Sequence, residues 1–203
     1  MRVRGRGVLG PVLYSFGRVL CLGVLYSLRR MQVYGRENIP AAGGLVVAAT
    51  HTSYWDPVVV GSVVGRQVFF MAKKELFRIP LLGPVIRAVG AFPVDRSRAG
   101  AGTFRLAASY LSRGQVLGVF PEGTRSHSGR VLPPQAGAFL LAATARVPVL
   151  PVAVAGSRGL WGRVRVYVGE PMPPPARDAG REGLAAYGRE WVRRIEGLLE
   201  RGG

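Results

Sequence analysis

Four short apolar runs constrain this chain most: Leu45-Val46-Val47-Ala48-Ala49, Val68-Phe69-Phe70-Met71, Val116-Leu117-Gly118-Val119-Phe120, and Pro148 to Val154. Each is four to seven residues long, and turn-forming residues flank them, as expected of strands buried on both faces. Between and after them lie stretches with helical patterning: Asp56 to Val64, Pro80 to Ala88, Thr103 to Leu111, Ala136 to Arg146 and an amphipathic closing segment from Arg181 to Leu199. Gly90 to Arg96 reads as a strand followed by a turn. Arg163 to Gly169 alternates with period two, which predicts an edge strand. Strand alternating with helix specifies an α/β layer architecture: a mixed, mostly parallel sheet flanked by helices. At 203 residues, with no internal repeat, the chain suits one such domain.

The first run delivers Thr50-His51-Thr52-Ser53-Tyr54-Trp55-Asp56-Pro57, and Asp56-Pro57 before Val58-Val59-Val60 predicts a helix start with Asp at the N-cap and Pro at N1. His51 therefore sits in a strand-to-helix turn. On a continuous helix a residue five positions from another lies about 140° away, at about 100° per residue, but in a turn His51 and Asp56 can meet. A carboxylate on one ring nitrogen fixes the tautomer and steadies the imidazolium, leaving the other nitrogen to take a proton from a hydroxyl. Ser53 stands close by without the Gly-x-Ser-x-Gly elbow of a nucleophile, so the attacking hydroxyl is expected from a substrate. Taken alone, the same spacing also describes a helix-capping aspartate beside a loop histidine.

Two further clusters fall at strand ends. All but two of the 28 Lys+Arg residues are arginine, and the two lysines, Lys73 and Lys74, stand side by side after the second run. A lysine is a compact point charge suited to phosphate, although a solvated surface pair has the same appearance. The third run leads into Pro121-Glu122-Gly123-Thr124-Arg125-Ser126. In open α/β sheets ligands bind at the carboxyl ends of strands, where backbone amides, a Thr hydroxyl and a forked guanidinium can together hold a phosphate, although the hexapeptide alone also describes a simple turn.

Composition narrows the class. The net charge of +17 predicts an anionic partner, and 48% hydrophobic residues with a mean hydropathy of +0.20 fit a protein bound to a surface. Arg2, Arg4 and Arg6 precede an apolar and aromatic stretch from Val8 to Leu28, broken by Pro11, Gly17, Arg18 and Gly23 and closed by Arg29-Arg30. Those breaks suit neither a signal peptide nor a spanning helix. They predict a segment over residues 1–30 lying in the cytoplasmic leaflet, each nearby cation adding about 1 kcal/mol of attraction to anionic lipid. An amphipathic helix packed on the domain is the alternative. A lone Cys21 and two histidines provide no disulfide and no zinc-site spacing. The chain has no recognition helix or zinc finger, and its aromatics lie in apolar runs, so nucleic acid is not the expected partner.

Together the blocks His51 to Asp56, Gly90 to Arg96, Phe120 to Ser126 and Val147 to Val154 resemble, in order, those of the glycerolipid acyltransferases typified by 1-acyl-sn-glycerol-3-phosphate acyltransferase. The resemblance covers Leu45 to Gly156 and implies the glycerol-3-phosphate acyltransferase-like fold over residues 31–203. It implies His51 as catalytic base and Asp56 as its orienting acid. Ser53, Lys73 or Lys74, Arg96, Glu122, Gly123, Thr124 and Arg125 become the substrate-binding set. The implied reaction is acyl transfer from acyl-CoA or acyl carrier protein to lysophosphatidic acid at an anionic membrane surface, with no cofactor or metal. Acceptors such as glycerol 3-phosphate, another lysophospholipid or an amino-acid lipid belong to the same class. Two positions depart from the family pattern: Thr50 replaces the usual Asn, and Gln135 stands near a usual Lys.

Overall fold

The computed structural model describes residues 16, 17, 19, 22, 23, 25–80, 83, 86, 90–94, 101–135, 137–159 and 162–201. Seven strands form its sheet: β1 (Gln32–Tyr34), β2 (Leu45–Ala49), β3 (Val68–Lys73), β4 (Phe92–Val94), β5 (Val116–Val119), β6 (Val149–Ala155) and β7 (Arg165–Val168). Their spatial order is β1-β7-β6-β2-β5-β3-β4. Every neighbouring pair is parallel except β6 and β7. The helices are α1 (Asp56–Val63), α2 (Ala101–Ser112), α3 (Gly137–Ala145) and α4 (Gly180–Glu200), all within a residue or two of the stretches predicted for them. The described residues between 16 and 29 are helical, as are Gly83 and Ile86; Pro80 lies in a turn, and the rest of the Pro80 to Ala88 stretch lies outside the described residues.

The apolar runs are strands because both of their faces are covered. All five residues of β2 are buried: Leu45, Val47 and Ala49 pack with Val59, Val60 and Val63 of α1, while Val46 and Ala48 pack in the opposite core with Phe139, Trp191 and Ile195. Trp191 of α4 lies wholly in that second core, and its indole N–H donates to the Ala48 carbonyl at 3.1 Å, so the polar handle of a large buried ring is satisfied. Leu22 and Leu25 of the N-terminal helical residues join the first core.

β7 is not the edge strand its pattern predicts: it lies inside the sheet, antiparallel to β6 on one side and parallel to β1 on the other. Its period-two pattern is that of a strand near the sheet margin, but Gln32–Tyr34 covers the margin itself. A three-residue strand is too short to show a period.

This order decides where chemistry can sit. β2, β5, β3 and β4 are consecutive in space and parallel, so the turns after Ala49, Val119, Lys73 and Val94 open on one edge. Blocks far apart in sequence become neighbours there.

Candidate active site

His51 stands two residues beyond β2, where the chain must turn to enter α1. Its Nδ1 lies 3.2 Å from Asp56 Oδ2. The same oxygen accepts the backbone N–H groups of Thr52 at 2.6 Å and Ser53 at 2.7 Å. Asp56 is thus not the N-cap of α1, as expected, but its first helical residue, following Trp55. Its carboxylate turns back onto the preceding turn instead of forward onto the helix amides, because that turn offers two amides and an imidazole at once. The carboxylate is wholly buried, and Oδ1 has no hydrogen-bond partner. Its polar contacts are therefore concentrated on the oxygen facing the histidine.

The ring of His51 is stacked on Phe120 at 4.1 Å between centroids, and Phe120 stacks in turn on Phe70 at 5.9 Å. Phe70 has room because Gly118 is opposite it on β5: a Cβ there would come within 2.2 Å of the Phe70 ring. Packing on one face and a carboxylate at Nδ1 leave the His51 side chain 18% exposed. No partner meets Nε2 among the described residues.

The turn after β5 is bonded directly to the turn after β2. Glu122 Oε1 accepts the His51 backbone N–H at 2.8 Å, and Oε2 accepts that of Leu132 at 3.0 Å. The Ser126 N–H returns a bond to the His51 carbonyl at 2.7 Å. Glu122 is buried, which pushes its carboxyl above the ordinary value; the two backbone N–H bonds and the charge of His51 pull it down, and Asp56 raises it. A folded-state pKa above the unfolded one means the native state holds this proton more tightly. Glu122 therefore contributes stability that is present below the ordinary carboxyl range and lost as pH rises through the raised folded value. Thermal unfolding across the acid range should show wild type losing ground to Glu122→Gln as pH rises, then a constant difference; a difference moving the other way contradicts this assignment.

The remaining sequence-predicted residues fall as follows. Ser53 is buried in the turn, its Oγ accepting the Trp55 N–H at 3.1 Å, which occupies the hydroxyl in local structure. Gly123 has φ 70, and a Cβ there would lie 2.4 Å from the Gln135 side-chain amide, so glycine alone suits this tight turn under Gln135. Thr124 is exposed, and the Arg125 guanidinium lies 3.7 Å over the exposed ring of Tyr54. Lys73 ends β3 with Nζ 3.9 Å from Glu75, both half-exposed, and Lys74 begins a 3-10 turn. Arg96 lies outside the described residues. Thr50, in place of the family's Asn, accepts the Val154 N–H with Oγ1 at 2.9 Å and so extends the pairing of β2 with β6 to the edge of the site.

Three partners were not visible to sequence reasoning: Phe120 as the platform under the imidazole, Glu122 as acceptor for the histidine's own backbone, and Ser126 as its return donor. The only signal was their shared block. The N–H groups of His51, Thr52, Ser53, Trp55 and Asp56 are all spent inside the protein, which leaves that of Tyr54 uncommitted among the described residues.

A carboxylate-held imidazole at the carboxyl edge of a mostly parallel sheet is the layout of an α/β enzyme that acts through a hydroxyl. The comparisons give the class its family: the chain belongs to the acyltransferases, whose family model, described as Acyltransferase, matches residues 30–155. A 1-acyl-sn-glycerol-3-phosphate acyltransferase of Bacillus subtilis (strain 168) is 34% identical over 186 residues, 87% of this chain and 92% of that protein. The alpha form of Bos taurus is 31% identical over 84% of this chain and 63% of its own length. The crystal structure of the 1-acyl-sn-glycerophosphate acyltransferase PlsC from Thermotoga maritima matches with a TM-score of 0.73 at 31% identity, covering 94% of this chain and 79% of that one.

Proposed function

We propose that the protein transfers a fatty acyl group from acyl-CoA or acyl carrier protein to the sn-2 hydroxyl of lysophosphatidic acid, giving phosphatidic acid. The observation that carries this reading is the His51–Asp56 pair at 3.2 Å, locked to the Glu122–Ser126 turn of the adjacent parallel strand. With Nδ1 occupied, Nε2 takes the proton of the acceptor hydroxyl as its oxygen attacks the thioester carbonyl carbon. The tetrahedral intermediate collapses by breaking the carbon–sulfur bond, and the imidazolium returns the proton to the departing thiolate. Acyl group and proton are both accounted for without an acyl-enzyme. Arg125 and Arg96, with Lys73 or Lys74, neutralise the acceptor phosphate and set the hydroxyl near the base, a positional contribution.

The reaction is placed at the cytoplasmic face of a membrane. Its support is the +17 charge and the helical residues Phe16, Val19, Tyr26 and Leu28, all exposed on an apolar and arginine-flanked segment. No helix among the described residues is long and apolar enough to cross a membrane. Residues 1–30 serve as the docking segment and 31–203 as the acyltransferase domain.

The test is an acceptor panel with one donor and the purified full chain: lysophosphatidic acid, glycerol 3-phosphate, another lysophospholipid and the uncharged monoacylglycerol. Lysophosphatidic acid should give the highest kcat/KM. Arg125→Ala should raise KM for it about 10- to 100-fold, the worth of one charge-assisted contact. A preference for monoacylglycerol overturns both the acceptor and the role given to Arg125.

A further inference from the structure

Arg29 is the last helical residue of the N-terminal segment, and it is 4% exposed. No carboxylate meets its guanidinium among the described residues. It donates instead to backbone carbonyls of one loop: Gly159 at 2.9 Å, Gly156 at 2.9 Å, Gly162 at 3.3 Å and Arg158 at 3.4 Å. Its own carbonyl accepts the Val164 N–H at 3.1 Å, tying the helix end to the approach to β7. Burying a guanidinium sacrifices its hydration, and a rigid fork of donors recovers that loss only when the acceptors are held in a fixed array. The loop is thus fixed at several points along its length.

What the loop touches gives this clamp its meaning. Ser157, wholly buried, places Oγ 3.1 Å from Thr52 Oγ1, on the residue next to His51 whose amide holds Asp56. Arg158, exposed, donates to the carbonyls of His127, at 2.7 Å, and Ser126, on the turn that follows Arg125. Ser126 is also the residue whose N–H holds the His51 carbonyl. One loop therefore grips both halves of the site, and one buried arginine from the far end of the sequence grips the loop.

We propose that Gly156, Ser157, Arg158, Gly159 and Gly162 act as a strap that sets the two active-site turns against each other, with Arg29 and Arg158 as positioning residues for acyl transfer. Neither reaches the reacting atoms; they act through Thr52 and Ser126. The kinetic part of the proposal rests on the acyl-transfer reading, and the structural part does not.

The test combines hydrogen exchange and steady-state kinetics on the full chain as wild type, Arg29→Gln, Arg158→Gln and the double variant. Arg29→Gln should accelerate amide exchange about tenfold or more in peptides spanning 50–56 and 122–128, with the β2 and β5 strands unchanged. It should also lower kcat about 10- to 100-fold with KM for the acyl donor nearly unchanged, as expected of a displaced base. Arg158→Gln should release the 122–128 peptide, and the double variant should be no worse than Arg29→Gln, since both act through one strap. Unchanged exchange and kcat in the single variants overturn the proposal, as does acceleration spread evenly over β2 and β5, the signature of a general loss of stability. Should Arg29→Gln fail to fold, Arg158→Gln, altered only at the surface, decides by the same readouts. A wild type that folds but acylates no acceptor refutes the acyl-transfer reading, and the exchange pattern still decides the strap.

Discussion

Replacing His51 with alanine should lower kcat for lysophosphatidic acid acylation by about 10² to 10⁴, the range that a positioned general base supplies. KM for both substrates should stay within a few-fold, because the ring binds neither headgroup nor thioester. The fold should survive: the contacts that lock the turn use the backbone N–H and carbonyl of His51, to Glu122 and Ser126, and these remain in the alanine variant. What is lost is the Nδ1 contact with Asp56 and the stacking on Phe120. Initial rates of phosphatidic acid formation over a range of both substrates measure this directly. A variant with near wild-type kcat would remove the base from the mechanism.

Asp56→Asn should be almost as damaging, for a separable reason. The asparagine carbonyl can take the place of Oδ2, accepting the Thr52 and Ser53 amides and the His51 Nδ1–H, so the turn keeps its shape. Its NH2 then occupies the site of Oδ1, which is buried without a partner. An unsatisfied buried donor costs about 1–3 kcal/mol, which should appear as a lower Tm. The larger effect is on catalysis: without a negative charge the imidazolium is no longer steadied as it forms, and kcat should fall by about 10² or more. Asp56→Ala, which also frees both amides, should be less stable than Asp56→Asn. If Asp56→Asn has wild-type kcat but lowered stability, Asp56 serves the turn alone.

Much of this was legible in the sequence because burial on both faces writes itself as an unbroken apolar run. Leu45 to Ala49, Val116 to Val119 and Val149 to Val154 announce themselves that way, and the parallel pairing of β2 with β5 follows from the intervening helices. Gln32–Tyr34 was silent because three residues carry no periodicity, and its absence made β7 look like an edge. The His51–Asp56 contact was legible as a turn, but the direction of the carboxylate was not: an Asp before Pro at a helix start has the pattern of an N-cap, and only the positions of the Thr52 and Ser53 amides show it facing backward. Glu122 illustrates the other limit. Its block pointed to a ligand site, whereas both of its oxygens meet backbone amides, a partnership that depends on two strands lying side by side. Arg29 and the strap lie beyond sequence reading altogether, since their contacts join residues about 130 positions apart and carry no motif.

Catalysis depends on Asp56 holding His51 in the tautomer whose Nε2 is free to accept a proton. Ring ¹⁵N NMR of the purified full chain at alkaline pH, with the imidazole neutral, decides this. The chain has only two histidines, so a His127→Gln variant assigns the signals. A neutral His51 protonated at Nδ1 and bare at Nε2 is the predicted result; a proton resident on Nε2, with Nδ1 bare toward the Asp56 carboxylate, would contradict it.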